Sequence, residues 1–242
     1  MPGALVNGAA TSDRTSIPAG AGINSLSTST YIGWFFPTTL GTNLGWFVKA
    51  AGRYLIADGT DNTRLQYGAP RATTATNYNC ATGAITLNTW QCFAATFDIG
   101  ATAGNVVKFY RGTLSSAMAA LGAGGTNTDG AGALTSDAAT NQLIGNYTNL
   151  TSAFKGSIGP VAVFGSVLSL ADMRSWQLRP RLTLTSGVAG MFARPGKNGA
   201  DMIEYAGLGN GTVTGSTQGN GPGFDQGELQ WSRDTGLLTM AA

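Results

Sequence analysis

The chain reads as an all-β protein, an antiparallel β-sandwich with one short helix, and three observations predict this. Apolar residues recur with a period of two in short runs bounded by Gly, Asn, Asp and Thr, the pattern of many short strands. Glycine supplies 36 of the 242 residues, about twice the usual share, as a chain with many tight reversals needs. Only one segment carries both a start and a stop signal for a helix. Hydrophobic residues make up 43% of the chain, enough for a core, and sandwiches of this length commonly fold as one unit.

Taken in order, strands are expected at residues 30–36, 44–49, 54–58, 64–67, 74–80, 90–97, 106–111, 142–145, 154–155 and 157–164. Val107 and Phe109 share one face of their run while Lys108 takes the other, the alternation of a half-buried antiparallel strand. The 90–97 run is apolar on both sides, as a central strand is. Pro160 has no N–H to give a ladder, so its strand lies at an edge or carries a bulge there. Trp34, Phe36, Trp90, Phe97, Phe109 and Phe164 are core candidates, with Trp34, Trp90 and Phe109 at the centre between two facing layers.

The helix is expected at Leu170–Leu178. Ser169 is its N-cap, Asp172 reaches back as a weak capping box, and Pro180 stops it. Leu170, Met173 and Trp176 or Gln177 form one apolar stripe for lying on the sandwich. Nine residues are unstable alone, so Trp176 is the anchor, contributing about 2 to 3 kcal/mol if fully buried. Residues 112–137 and 207–223 read as loops, with a brief helix over 114–121 as the alternative. Residues 1–215 are assigned to the sandwich and 216–242 to a Gly-rich linker and C-terminal arm.

Composition excludes several classes of function. Charged residues are 11% and the net charge is +2 with no basic cluster, so no nucleic-acid partner is expected. Histidine is absent, which removes Ser-His-Asp and Cys-His relays and histidine-ligated zinc. The opening residues lack a basic region and an apolar block, so no secretory leader is read there; either one was removed or the protein is used without export. The charge-free stretch 72–97 is too rich in Thr and Asn to span a bilayer, and no membrane partner is expected. Cys80 and Cys92 flank a turn signal and either meet as a disulfide across neighbouring strands or stay as buried thiols. Asp58, Asp61, Asp129 and Asp137 stand in turns where calcium ligands also occur, but Asx-rich turns are usually just turns; no metal or cofactor is assigned.

Set side by side, these runs resemble a known group. Tyr31-Ile32-Gly33-Trp34-Phe35-Phe36-Pro37 opens it, Thr89-Trp90-Gln91-Cys92-Phe93-Ala94-Ala95-Thr96-Phe97-Asp98 follows, then Val107-Lys108-Phe109-Tyr110-Arg111-Gly112 and Leu143-Ile144-Gly145. The run from Phe154 through Phe164, continuing over Val167 to Asp172, closes the series. In this order, over about residues 31–176, they resemble the laminin-G-like jelly rolls of the concanavalin A-like lectin and glucanase superfamily. Glu204-Tyr205-Ala206-Gly207-Leu208-Gly209-Asn210-Gly211-Thr212-Val213-Thr214-Gly215 is similar to a tail found in bacteriophage-encoded members and some bacterial surface proteins. Gly159-Pro160 replaces the group's usual acidic pair, and Glu204 stands where Asp is common.

The resemblance implies a concanavalin A-like jelly roll. The glycosidases of the superfamily carry acidic residues alternating on one strand, which brings nucleophile and general acid together on one sheet face; this chain has no such triplet, so no enzymatic activity is expected. The phage-like tail implies a non-enzymatic virion protein, a capsid decoration or cement protein or else a tail or fibre component. It would be made in the host cytoplasm, bind a major capsid or other virion protein, and form a homo-oligomer, with a trimer favoured. The alternative is a carbohydrate-binding or adhesion module of a bacterial or viral surface, using Tyr67, Tyr78, Tyr147 or Trp46 as a sugar platform. Trp231, Leu229, Leu237 and Leu238 in the terminal arm are the candidate interaction residues.

Overall fold

A computed structural model describes residues 3–7, 13–41, 45–49, 52–147, 152–195, 202–214, 216–220, 229–231 and 238–240. In chain order the first elements are β1 (Gly3–Asn7), β2 (Arg14–Ile17), a 3-10 turn (Ala21–Ile23), β3 (Thr28–Pro37), β4 (Gly45–Lys49), β5 (Arg53–Ala57), β6 (Leu65–Ala69) and β7 (Thr76–Cys80). Next come β8 (Gln91–Asp98), β9 (Val107–Thr113), β10 (Ala119–Leu121), β11 (Ala123–Thr128), β12 (Gln142–Ile144), β13 (Gly156–Phe164) and the helix α1 (Leu170–Leu178). The chain continues through β14 (Thr183–Leu184), β15 (Gly187–Pro195), β16 (Met202–Glu204), β17 (Thr212–Thr214), β18 (Thr217–Asn220), β19 (Leu229–Trp231) and β20 (Leu238–Met240).

Two antiparallel sheets face each other. The first has the order β10-β9-β8-β3-β13-β1-β18, with β15 also on β13 and with β14 and β16 on β15; the second has the order β11-β7-β6-β5-β4-β12-β2-β17. Tyr31, Phe35, Phe93, Phe97 and Phe109 of the first meet Phe47, Leu55, Tyr67 and Tyr78 of the second in one core. Its rings pack edge to face, Tyr31 on Phe47 at 5.4 Å and on Tyr67 at 5.9 Å, the arrangement that matches ring edge to ring face.

A second cluster lies on the other face of the first sheet, where Ile32, Trp34, Cys92, Ala94, Ala162 and Phe164 support Met173 and Trp176 of α1. This corrects the placing of Trp34 and Trp90 between the layers. Along β3 the alternation turns Tyr31 and Phe35 to the inter-sheet core, and Ile32 and Trp34 to the helix. Trp90 is half-buried against that helix-side cluster and packs on Phe36 at 5.6 Å. Phe109 is between the sheets as expected. Covering on both faces is why β8 is buried continuously from Gln91 to Phe97.

The helix occupies the predicted residues. Ser169 is the N-cap and accepts from the Asp172 N–H, and the Asp172 carboxylate takes the Ser169 hydroxyl where a full capping box would take the Ser169 backbone N–H. The buried face is Asp172, Met173, Trp176 and Gln177, with Leu170 only partly buried against it. Gln177 donates from Nε2 to the Thr113 and Ser116 carbonyls, both at 2.7 Å, and accepts the Met118 N–H at Oε1, also at 2.7 Å. A Cβ at Gly112 would lie 2.5 Å from that Nε2, so the amide reaches the backbone only because position 112 is glycine. Residues 119–121, inside the candidate brief helix, instead form β10 on β9.

Pro160 is accommodated by a bulge. The register of β13 on β3 shifts between Ile158 and Val161. On its other side β13 changes partner, from β1 opposite 156–158 to β15 opposite 161–164. The proline falls in that gap, where no ladder needs its missing N–H.

Of the two fates open to Cys80 and Cys92, disulfide or thiol, both residues are free buried thiols, and the candidate disulfide is corrected. Cys80 belongs to the inter-sheet core and Cys92 to the helix-side cluster, so the first sheet separates them. Residues 154–155 are not a strand; Phe154 drops into the core against Phe35 and Trp46. Strands β1, β2 and β14–β18 carry too little periodicity to be legible. Two of them lie in the glycine-rich stretch read as loop, and β18 pairs with β1 beyond residue 215.

Candidate functional site

The two sheets differ in what covers them. The helix and the β14–β15 hairpin close the outer face of the first sheet, whereas among the described residues no helix lies on the second. Alternation decides what that second outer face displays. In Arg53–Ala57 the core takes Leu55 and Ala57; in Leu65–Ala69 it takes Leu65, Tyr67 and Ala69; in Thr76–Cys80 it takes Tyr78 and Cys80. Tyr54, Ile56, Gln66, Gly68, Asn77 and Asn79 therefore face outward.

Register sets these residues in rows. Thr212, Ser16, Leu143, Val48, Tyr54, Gly68, Asn77 and Thr128 follow one another across eight neighbouring strands. Beside them, Ile56 pairs with Gln66 and Gln66 with Asn79. The Tyr54 ring lies across Gly68, where a Cβ would sit 2.3 Å from its Cζ, and Tyr147 meets Tyr54 edge-on at 6.1 Å. Burial, then the neighbouring Tyr147 and Asp58, push the Tyr54 phenol above its ordinary value, so it stays a neutral donor and acceptor.

Three amides flank this aromatic pair. Gln66 is held by its Nε2 donating to Asp58 at 3.3 Å. Asn79 donates from Nδ2 to the Thr126 carbonyl at 3.3 Å. The Oδ1 atoms of Asn77 and Asn79 are buried without a protein donor, an unmet demand that calls for a reason in a folded protein. The result is a strip of half-buried Tyr54, Tyr147, Gln66 and Asn77 side chains beside the buried Val48, Ile56 and Asn79. Two shallow cavities elsewhere, about 150 Å³ between β7, β9 and β10 and about 220 Å³ between residues 113–117 and α1, fall below the roughly 300 Å³ of an ordinary small-molecule site.

The structure relocates most of the candidates. Trp46, Tyr67 and Tyr78 are buried core residues and cannot act as platforms; Tyr147 alone of that set joins the outer strip. Asp58 pairs with Arg64, with Oδ2 at 2.6 Å from Nε and 2.5 Å from Nη2, and it also caps its turn through the Thr60 and Asp61 N–H groups. Asp61 serves Thr63 and Thr82. Asp129 accepts from the Tyr78 hydroxyl and the Gly104 N–H. Asp137 is locked in ion pairs with Lys49 and Arg53. Each acidic side chain thus closes its own turn or network, and they do not converge.

Glu204, singled out as a departure from the resembled pattern, accepts N–H groups of Phe192 (3.0 Å), Ala206 and Leu208 (both 2.8 Å). Its longer side chain gathers the backbone of the Gly-rich turn. Leu229 and Trp231 lie on β19 and Leu238 on β20, strands that pair with each other as a separate two-stranded sheet among the described residues; Leu237 lies outside them. Tyr54 and the Asn77/Asn79 pair were missed from sequence. Their signal was the run Thr-Asn-Tyr-Asn-Cys, whose polar alternation turns the asparagines out and Tyr78 in.

No protein-family model matches this chain, and no curated protein does. Among solved structures it is similar to a putative carbohydrate binding protein from Bacteroides ovatus, with a TM-score of 0.63 and 15% identity over 90% of this chain and 60% of that one. The chain thus spans 60% of the length of that protein. It also matches a native heptameric SAP-like pentraxin from Limulus polyphemus at a TM-score of 0.43 and 10% identity, over 88% of this chain and 94% of that one. The first likeness, with the two antiparallel sheets, shows a jelly-roll β-sandwich fold.

Proposed function

We propose that this protein is a carbohydrate-binding module that holds an extended glycan along the outer face of its second sheet. The observation that carries the reading is the outward-facing row in which the half-buried Tyr54 ring lies over Gly68 beside the half-buried Asn77 and Gln66 and the buried Asn79. A sugar ring presents an apolar face to an aromatic side chain, and its hydroxyls supply the donors that the Asn77 and Asn79 oxygens lack once their amides turn toward it. A row that runs across neighbouring strands suits a polymer, whose successive units each add contact. The shared fold with a protein described as carbohydrate binding supports the same reading. A panel of glucans, xylans, mannans and host-type glycans, assayed by array and calorimetry, tests it: binding to one class should fall at least tenfold in Tyr54→Ala and in Asn77→Ala. A uniformly blank panel overturns it.

A second reading is attachment to a virion, as a non-enzymatic decoration, tail or fibre component binding a capsid or other virion protein and assembled as a homo-oligomer. It is supported by the resemblance of residues 204–215 to phage-encoded tails and by the separate β19–β20 hairpin bearing Leu229, Trp231 and Leu238. Mass spectrometry of purified particles decides it, since the protein's absence from every particle removes this reading and leaves the glycan-binding one untouched.

A further inference from the structure

One buried cluster takes no part in the outer strip. Lys49 and Arg53 face each other across the β4–β5 hairpin, and both turn inward. One carboxylate serves them: Asp137 Oδ1 lies 3.2 Å from Lys49 Nζ and Oδ2 lies 3.0 Å from Arg53 Nε, with all three side chains inaccessible to solvent. The Ser25 N–H also donates to Oδ1, at 2.6 Å. Two cations thus share one anion, leaving one positive charge in excess in a desolvated site, the costly case for buried charge. Burial pushes the Lys49 ammonium below its ordinary value, against the pull of Asp137, and a neutral lysine amine is a nucleophile.

An electrophile is already in place. Lys49 Nζ lies 2.8 Å from Asn24 Oδ1, closer than to Asp137 or to the Ile23 carbonyl at 3.1 Å. We propose that Lys49 and Asn24 become joined by an amide bond between Nζ and Cγ, with ammonia lost. The Nζ lone pair attacks Cγ, the C–N bond to the Asn24 amide nitrogen breaks, and Asp137 accepts the proton shed by the amine and passes it to the departing nitrogen. No oxidant or other reactant enters. The fixed contact replaces an encounter in solution, the main obstacle to an unactivated amide reacting with an amine.

Charge selects Asn24 over Asp137 as the acceptor. Bonding to Asn24 turns the Lys49 nitrogen into a neutral amide, so the proton that made the excess buried cation is given up before the attack and ammonia leaves uncharged, while Asp137 remains as the counter-ion of Arg53. Bonding to Asp137 would consume that anion and strand Arg53. The link would tie β4 of the second sheet to the segment entering β3 of the first, closing a loop between residues 25 positions apart.

Trypsin mapping of the denatured full-length protein tests this directly. Arg14, Lys49 and Arg53 are consecutive basic residues, and an acylated Lys49 is not cleaved. The expected product is a single 15–53 peptide lighter by one ammonia, with fragments joining Asn24 to Lys49. Asn24→Ala and Lys49→Arg should each abolish that mass loss, and Asn24→Ala should restore cleavage after Lys49. Complete cleavage after Lys49, giving an unmodified 15–49 peptide from the wild-type protein, overturns the proposal. Loss of one water with attachment to the peptide containing Asp137 also overturns it, because the acceptor would then be the wrong residue.

Discussion

Removing the Trp176 side chain tests whether the helix is held by burial. Trp176 is 0% exposed and sits among Trp34, Phe164, Met173 and Leu184. A fully buried indole covers about 150 to 250 Å², which at about 25 cal/mol per Å² gives roughly 4 to 6 kcal/mol as an upper bound. Measured losses for large-to-small changes in cores run at about 3 to 5 kcal/mol. Nine residues of helix have little stability of their own, so nothing local offsets the cavity. The Trp176 Nε1 has no hydrogen-bond partner, so Trp176→Phe keeps most of the ring packing and discards an unsatisfied donor; its cost should stay within about 1 to 1.5 kcal/mol. Urea unfolding followed by circular dichroism, which does not depend on the tryptophan removed, gives both values. A Trp176→Ala loss under about 1 kcal/mol would mean that the helix does not close the outer face of the first sheet.

Three further outcomes concern other parts of the molecule. At Gly68, substitution by Ala puts a Cβ 2.3 Å from the Tyr54 Cζ and must displace the half-exposed ring outward; glycan binding should weaken at least tenfold with little change in melting temperature, and unchanged affinity would disconnect Tyr54 from binding. In alkali, burial holds the Cys80 thiol up at about 11 from an ordinary 9.0, and burial with the Asp129 contact holds Tyr78 up at about 12. The unfolded chain then loses these protons first, so stability falls as pH rises above about 9, with Cys80 alone accounting for roughly 2 to 3 kcal/mol by about pH 11. Cys80→Ala should flatten that slope, and an aromatic disulfide reagent should find no reactive thiol in the native protein and two after unfolding; prompt native reaction would contradict the burial of both.

Much of the architecture is written in local pattern. Alternation at 107–109, the capping signals around Leu170–Leu178 and the missing donor of Pro160 each constrain the backbone within a few residues, and the structure has a strand, a helix and a bulge at those places. The edge strands β17 and β18 were illegible because glycine and threonine leave no periodic trace; their pairing with β2 and β1 is made by backbone groups that every residue carries.

The site was legible to a lesser degree. The sequence by itself determined that the protein is a sandwich with one docked helix and without histidine chemistry, because composition, period and caps are properties of neighbouring residues. Only the tertiary structure decided which face each aromatic takes, that Trp34 serves the helix and Tyr54 the open sheet, and that Lys49, Asn24 and Asp137 meet. Those outcomes depend on strand register and on what covers each sheet, and a one-residue change of register inverts both faces of a strand while leaving its composition untouched.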